Sequence, residues 1–176
     1  MLNQLMTKSS AKQAAERLYL SASAQARAES LYREMGTPDT VEGRFELLTL
    51  HVILLVDRLG EESGSVAAEM RQALFDVYLS NLDGALREMG VGDLAVGKRM
   101  RKLGEAFYGR ASALRAALSV LPDCAPLRSL LARTALQARP DMPPDRLAAY
   151  VQQCRNDLAR CDREVLLSGS PTWSPG

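Results

Sequence analysis

The sequence predicts an all-α fold, a single-domain helical bundle of about six helices, on three observations. Apolar residues recur at three- and four-residue spacing along most of the 176-residue chain, the interval that places side chains on one face of a helix. No segment alternates apolar and polar residues at the two-residue period of a half-buried strand. Short Gly, Pro and Asp punctuation separates the periodic stretches. The length suffices for one proper core, and 47% hydrophobic with 24% charged residues is the composition of a folded domain, not of a disordered chain.

The first helix is expected from about Ser10 to Met35, with an interruption near Ser21 and Ser23. The second, Thr40 to Leu59, is apolar almost all the way round. Its run LLTLHVILLV (47–56) is too short for a bilayer, which takes about 20 residues, and reads as a buried core helix. In the third, Val66 to Met89, the residues Phe75, Leu79, Leu82, Leu86 and Met89 share one face. The fourth, Leu94 to about Val120, carries Val96, Met100, Leu103, Phe107, Leu114 and Leu118 on one stripe, with Lys98, Arg101 and Lys102 roughly opposite. Leu127 to Ala138 and Pro144 to Leu167 complete the set, the last entered through the DMPP turn. The expected organisation is a core over 1–120, a C-terminal helical extension packed on it over 121–167, and a disordered tail over 168–176 with Trp173 exposed.

Two joints echo each other. REMGTPD (33–39) and REMGVGD (87–93) each end a helix at a glycine, the residue that best takes the left-handed conformation closing helix ends. Each offers an aspartate three residues later: Asp39, with Glu42 in a capping-box-like pair, and Asp93 as the N-cap of the fourth helix. This stop-and-start grammar explains the echo, and no further periodicity indicates a repeat protein.

A net charge of +1 argues against a generally basic nucleic-acid binder, and no DNA partner is expected. Between Arg87 and Arg115, however, seven Lys and Arg residues against three acids leave a local excess of +4. Lys98, Arg99, Arg101 and Lys102 are either a module for RNA or anionic membrane, or a solvated face partly paired through Glu105. The N-terminus carries Lys8, Lys12, Glu16 and Arg17 without a continuous apolar segment, so a cytosolic chain is expected. The cysteines Cys124, Cys154 and Cys161, with a single His in the chain, fit buried reduced thiols and not a zinc site.

The stretch GVGDLAVGKRM (90–100) has the spacing of a P-loop from Gly92 to Gly97 and Lys98. Arg99 stands where the magnesium-binding Ser or Thr is needed, and a helical pattern leads in where a P-loop requires a strand. A nucleotide-binding reading therefore stays only as an alternative. Along the second helix Arg44, His51 and Arg58 recur at seven-residue spacing and form one polar stripe. Either this stripe faces a cleft and holds a carboxylate, a propionate or a peptide, or the arginines pair with Asp76 and Asp83 while His51 makes a satisfied core hydrogen bond. No catalytic dyad, G-x-S-x-G elbow, H-E-x-x-H or C-x-x-C occurs, which makes an enzyme the weaker class and implies no cofactor.

The strings GTPDTVEGRFELLTLHVILLVDRL (36–59), LFDVYLSNLDGALREMGVGDLAVGKRMRK (74–102) and EAFYGR (105–110) together resemble the ubiquinol-cytochrome c chaperone family over about residues 18–120. The resemblance implies an all-helical, non-enzymatic chaperone that binds newly made cytochrome b and assists assembly of the cytochrome bc complex. Mitochondrial members work with a small partner subunit near the ribosomal tunnel exit. The short length and the absence of a presequence suggest a bacterial member, cytoplasmic or peripheral at the inner membrane. Positions matching the family's pattern supply the candidate client-binding residues Asp39, Arg44, His51, Asp76, Asp83, Arg87, Gly90, Val91, Gly92, Asp93, Lys98, Tyr108 and Arg110. Gly90 to Asp93 are expected to form a rigid elbow, so that Arg44, Asp93 and the FYGR segment border one groove.

Overall fold

A computed structural model describes residues 2–137, 139 and 141–173, with side chains from Ser10 onward. Among them stand eight helices and no strand: α1 (Leu2–Gln25), α2 (Glu29–Arg33), α3 (Val41–Glu61), α4 (Ser65–Glu88), α5 (Asp93–Ser119), α6 (Ala125–Arg133), α7 (Asp145–Arg160) and α8 (Arg163–Ser168). Six are long and two are single short turns, close to the six predicted. The extra pair comes from one break in the first predicted helix and one in the last.

The first break falls at Ala26–Ala28, later than the serines at which it was expected. Ser21 stays helical because its hydroxyl has a partner, accepting the Trp173 indole N–H at 2.7 Å. The second break, at Cys161, divides the predicted last helix. There the Arg58 guanidinium donates to the carbonyls of Leu158 (2.8 Å) and Cys161 (3.3 Å), closing α7 from a distant helix as a lysine or arginine near a C-terminus does locally. The fifth predicted helix ends early, at Arg133, and Ala138 lies outside the described residues.

Both predicted aspartate caps are corrected. At α3 the cap is Thr40, whose Oγ1 accepts the Gly43 N–H at 3.1 Å, while Asp39 turns away to accept from Arg44 Nε at 2.6 Å. Gly43 is required by close approach: a Cβ there would stand 2.0 Å from the Pro38 carbonyl oxygen. At α5 the cap position is Gly92, and Asp93 is the first helical residue, with its carboxylate on Arg87.

A continuous core draws on all eight helices. α3 runs through its centre, with Leu47, Val52, Ile53, Leu54, Leu55 and Leu59 almost wholly buried. α4 lies antiparallel to it, Thr49 meeting Tyr78 at 2.8 Å between their hydroxyls. On α7, Leu147, Ala148, Val151, Cys154 and Leu158 form the buried stripe of an amphipathic helix. Each fully buried leucine or phenylalanine contributes about 1.5–3 kcal/mol. The tail departs from expectation: Trp173 is half-buried against the core, edge-on to His51 at 5.4 Å between ring centroids. Residues 174–176 lie outside the described set.

Candidate functional site

A groove of about 810 Å³ opens into this core between α3, α4, α5 and α7. Its floor comes from the apolar stripes, with Leu54, Phe107 and Leu118 buried beneath the half-buried Phe75. Phe75 packs on Phe107 at 4.9 Å and on Tyr108 at 5.3 Å, so three aromatic rings form one continuous face. Tyr108 is 62% exposed and stands at the lip. The walls are charged: Asp57 and Arg58 from α3, Arg71 from α4, Arg115 from α5 and Arg155 from α7.

These arginines are not equivalent. Arg58 is spent on the α7 carbonyls and on Glu62, at 2.6 Å. Arg115 donates through Nε and Nη2 to one oxygen of Asp57, at 2.8 and 2.5 Å. Burial raises the Asp57 carboxyl above its ordinary value, and the Arg115 hydrogen bond opposes that shift. Arg71 and Arg155 are in no ion pair among the described residues; Arg71 lies close enough to favour the Asp57 carboxylate by its charge, and both guanidinium groups keep donors for an incoming acceptor. An apolar aromatic floor with guanidinium walls suits a helix or peptide that has a greasy face and carbonyl or carboxylate ends.

The predicted site residues do not converge on this groove, or on any one place. Tyr108 alone lines it. Arg110, two residues on, points elsewhere, bonded to both oxygens of Glu46 and lying over the Phe45 ring at 5.4 Å. Asp39 and Arg44 form an exposed pair at the start of α3. Asp76 accepts from Gln72 and borders a separate cleft between α1 and α4 with Lys12, Glu16 and Tyr19. Thus the expected pairing of Arg44 and Arg58 with Asp76 and Asp83 does not form, because each arginine has a nearer acceptor of its own.

His51 lies wholly inside the core. Leu47 carbonyl accepts from Nδ1 at 2.7 Å, which places the proton there, so Nε2 accepts the Tyr150 hydroxyl proton at 2.7 Å. Tyr150 in turn accepts from Gln25 at 2.8 Å. Burial depresses the His51 pKa to about 4, against a weaker raising effect of the Leu47 hydrogen bond. The satisfied-core reading of His51 therefore holds, and the network links α1, α3 and α7.

The remaining candidates occupy the turn between α4 and α5. Gly90, at φ +81°, closes α4: its N–H bonds to the Arg87 carbonyl at 2.9 Å and the Val91 N–H to Leu86 at 3.0 Å, the paired pattern of a Schellman end. Gly92 is extended at φ −67° and ψ 153°, so the special backbone conformation of the elbow belongs to Gly90. Arg87 clamps the turn, holding Asp83 at 2.7 Å and also Asp93. Neither Arg44 nor Asp93 lines the groove that Tyr108 borders, so the expected single groove is not formed. Gly97 and Lys98 sit within α5, so no phosphate-cradling loop exists there.

The groove walls escaped the sequence reading because Arg71, Arg115 and Arg155 lie on three different helices and share no spacing. Arg155 also comes from α7, beyond the stretch that carried the resemblance.

The sequence pattern described as ubiquinol-cytochrome C chaperone matches residues 33–173. The chain belongs to the ubiquinol-cytochrome c chaperone family. The match runs through α6, α7 and α8, well past the stretch legible by eye. The fold is similar to the crystal structure of the Cbp3 homolog from Brucella abortus, with a TM-score of 0.85 and 36% sequence identity over 99% of this chain and 97% of that one. No curated protein matches significantly. Among the described residues of this family member, no helix is long and apolar enough to cross a membrane.

Proposed function

We propose that the chain is a non-enzymatic assembly chaperone that binds newly made cytochrome b in the groove beside Tyr108 and holds it for assembly of the bc complex, at the cytoplasmic face of the membrane. Family membership supports the chaperone role. The observation that carries the client site is the groove itself, in which an aromatic floor meets guanidinium groups not committed to an ion pair. A transmembrane segment outside the bilayer needs its apolar face covered and its polar ends hydrogen-bonded, and this combination supplies both.

In-cell photocrosslinking tests the reading. A photoreactive residue at Tyr108 should capture cytochrome b, identified by antibody, while one at the exposed Arg33 of α2 should not. Capture at Arg33 with none at Tyr108 would reject the groove as the client site. Normal cytochrome b levels and normal ubiquinol-cytochrome c reductase activity after gene deletion would reject the chaperone role.

A further inference from the structure

The outer face of α5 is one exposed stripe along its length. Leu94, Lys98, Arg101, Glu105, Tyr108, Ser112, Arg115 and Ser119 follow at alternating four- and three-residue steps, and every one is exposed. Three features coincide on its first half. Leu94 is 101% exposed and Met89, across the turn, is 58% exposed, so the end of the α4–α5 hairpin presents apolar side chains to solvent. Lys98, Arg99, Arg101 and Lys102 are in no ion pair among the described residues; Arg71 and Arg155 are unpaired too, but here four such cations crowd into the single segment 98–102. From Leu94 to Gly104 there is no acid at all; of the nearest ones, Asp93 is held by Arg87, and Glu105 alone interrupts the stripe.

We propose that this face of α5 docks the protein on an anionic lipid bilayer. Leu94 and Met89 enter the headgroup boundary, Lys98, Arg101 and Lys102 lie against lipid phosphates, and Tyr108 rests at the interfacial level. From Leu94 to Tyr108 the helix spans roughly 21 Å, enough for several headgroups. The pattern is that of an interfacial amphipathic surface, apolar anchors with basic residues beside them, and an aromatic where apolar and wet zones meet. Charge complementarity alone would serve RNA equally; a fully exposed leucine at the tip has no role on a phosphate backbone, and it decides for lipid. The stripe continues through Tyr108, Arg115 and Ser119, which line the groove. Docking in this way would place the groove at the membrane surface, a consequence that rests on the client reading above, whereas the lipid contact does not.

Sedimentation of the purified full chain with phosphatidylcholine vesicles, with and without phosphatidylglycerol, tests the proposal. The chain should bind only the anionic vesicles, and binding should fall steeply between about 50 and about 300 mM salt. The triple change Lys98→Gln, Arg101→Gln, Lys102→Gln should weaken it by roughly a hundredfold, since each basic residue near an anionic surface contributes about a factor of five. Leu94→Ser should weaken it severalfold at every salt concentration, and Arg33→Gln should leave it unchanged. Absence of binding to anionic vesicles, a triple variant that binds as the wild type does, or binding to RNA in place of vesicles would each overturn the proposal. The vesicles contain no cytochrome b, so these outcomes leave the crosslinking result at Tyr108 standing, and a failure at Tyr108 leaves these standing.

Discussion

The bundle body and the α4–α5 hairpin end are built from the same kind of helix and differ in what covers them. In the body, burial on α4 reaches Tyr78 and on α5 resumes at Phe107. Between those residues only Val96 is buried, and five glycines, Gly84, Gly90, Gly92, Gly97 and Gly104, would meet no atom within 4 Å if given a Cβ. The same helices thus serve as core walls at one end and as a solvated arm at the other. Packing holds residues to their identity in the body. Along the arm, sequence is free to answer to partners, and there the cluster Lys98, Arg99, Arg101 and Lys102 and the exposed Leu94 occur.

The sharpest way to break this contrast is a truncation at each end. Phe107→Ala should cost about 3–5 kcal/mol in urea unfolding, because a wholly buried ring leaves a cavity, whereas Leu94→Ala should change stability by less than about 0.5 kcal/mol. Equal costs would mean that the arm is packed after all.

The next effect is on pH. His51 takes up its proton near 6.5 when unfolded but only at about 4 in the fold. The unfolded chain therefore binds more protons between those values, and stability is fully present above 6.5 and lost as pH falls toward 4. The loss attributable to His51 should approach about 3 kcal/mol. His51→Gln should flatten this part of the curve in denaturant titrations at several pH values; an unchanged slope would assign the dependence to carboxylates.

Within the arm, the elbow gives a smaller, more local comparison. Gly90→Ala forces a side chain into the left-handed region and should cost about 1–2 kcal/mol, while Gly92→Ala, extended and open, should cost under about 0.5 kcal/mol. Reversal of that order by thermal unfolding would move the turn's constraint back to Gly92. Gly97→Ala, in the second turn of α5 with open space around it, should stabilise the protein by about 0.5–1 kcal/mol. Smallest of all, Lys98→Ala should shift stability by no more than about 0.5 kcal/mol, so that any large effect of Lys98 on vesicle binding is separable from folding by circular dichroism.

The sequence by itself determined the helical class, the bounds of α3, α4 and α5 to within a few residues, the core faces of those helices, and the family, because each of these is written in local spacing or in contiguous strings. It also offered the core reading of His51 as one of two alternatives, since a lone polar residue on an apolar helix needs partners if it is buried, and the structure decided for it. Only the tertiary structure decided where helices break and which charges meet. Arg58 ends α7 from one hundred residues away, Thr40 displaces Asp39 as a cap because Arg44 takes the aspartate, and Trp173 returns to Ser21. The groove walls are of the same kind: Arg71, Arg115 and Arg155 become neighbours only when α4, α5 and α7 pack around α3. A side chain's partner is chosen by distance in the fold, and distance along the chain carries no information about it once helices are joined by turns.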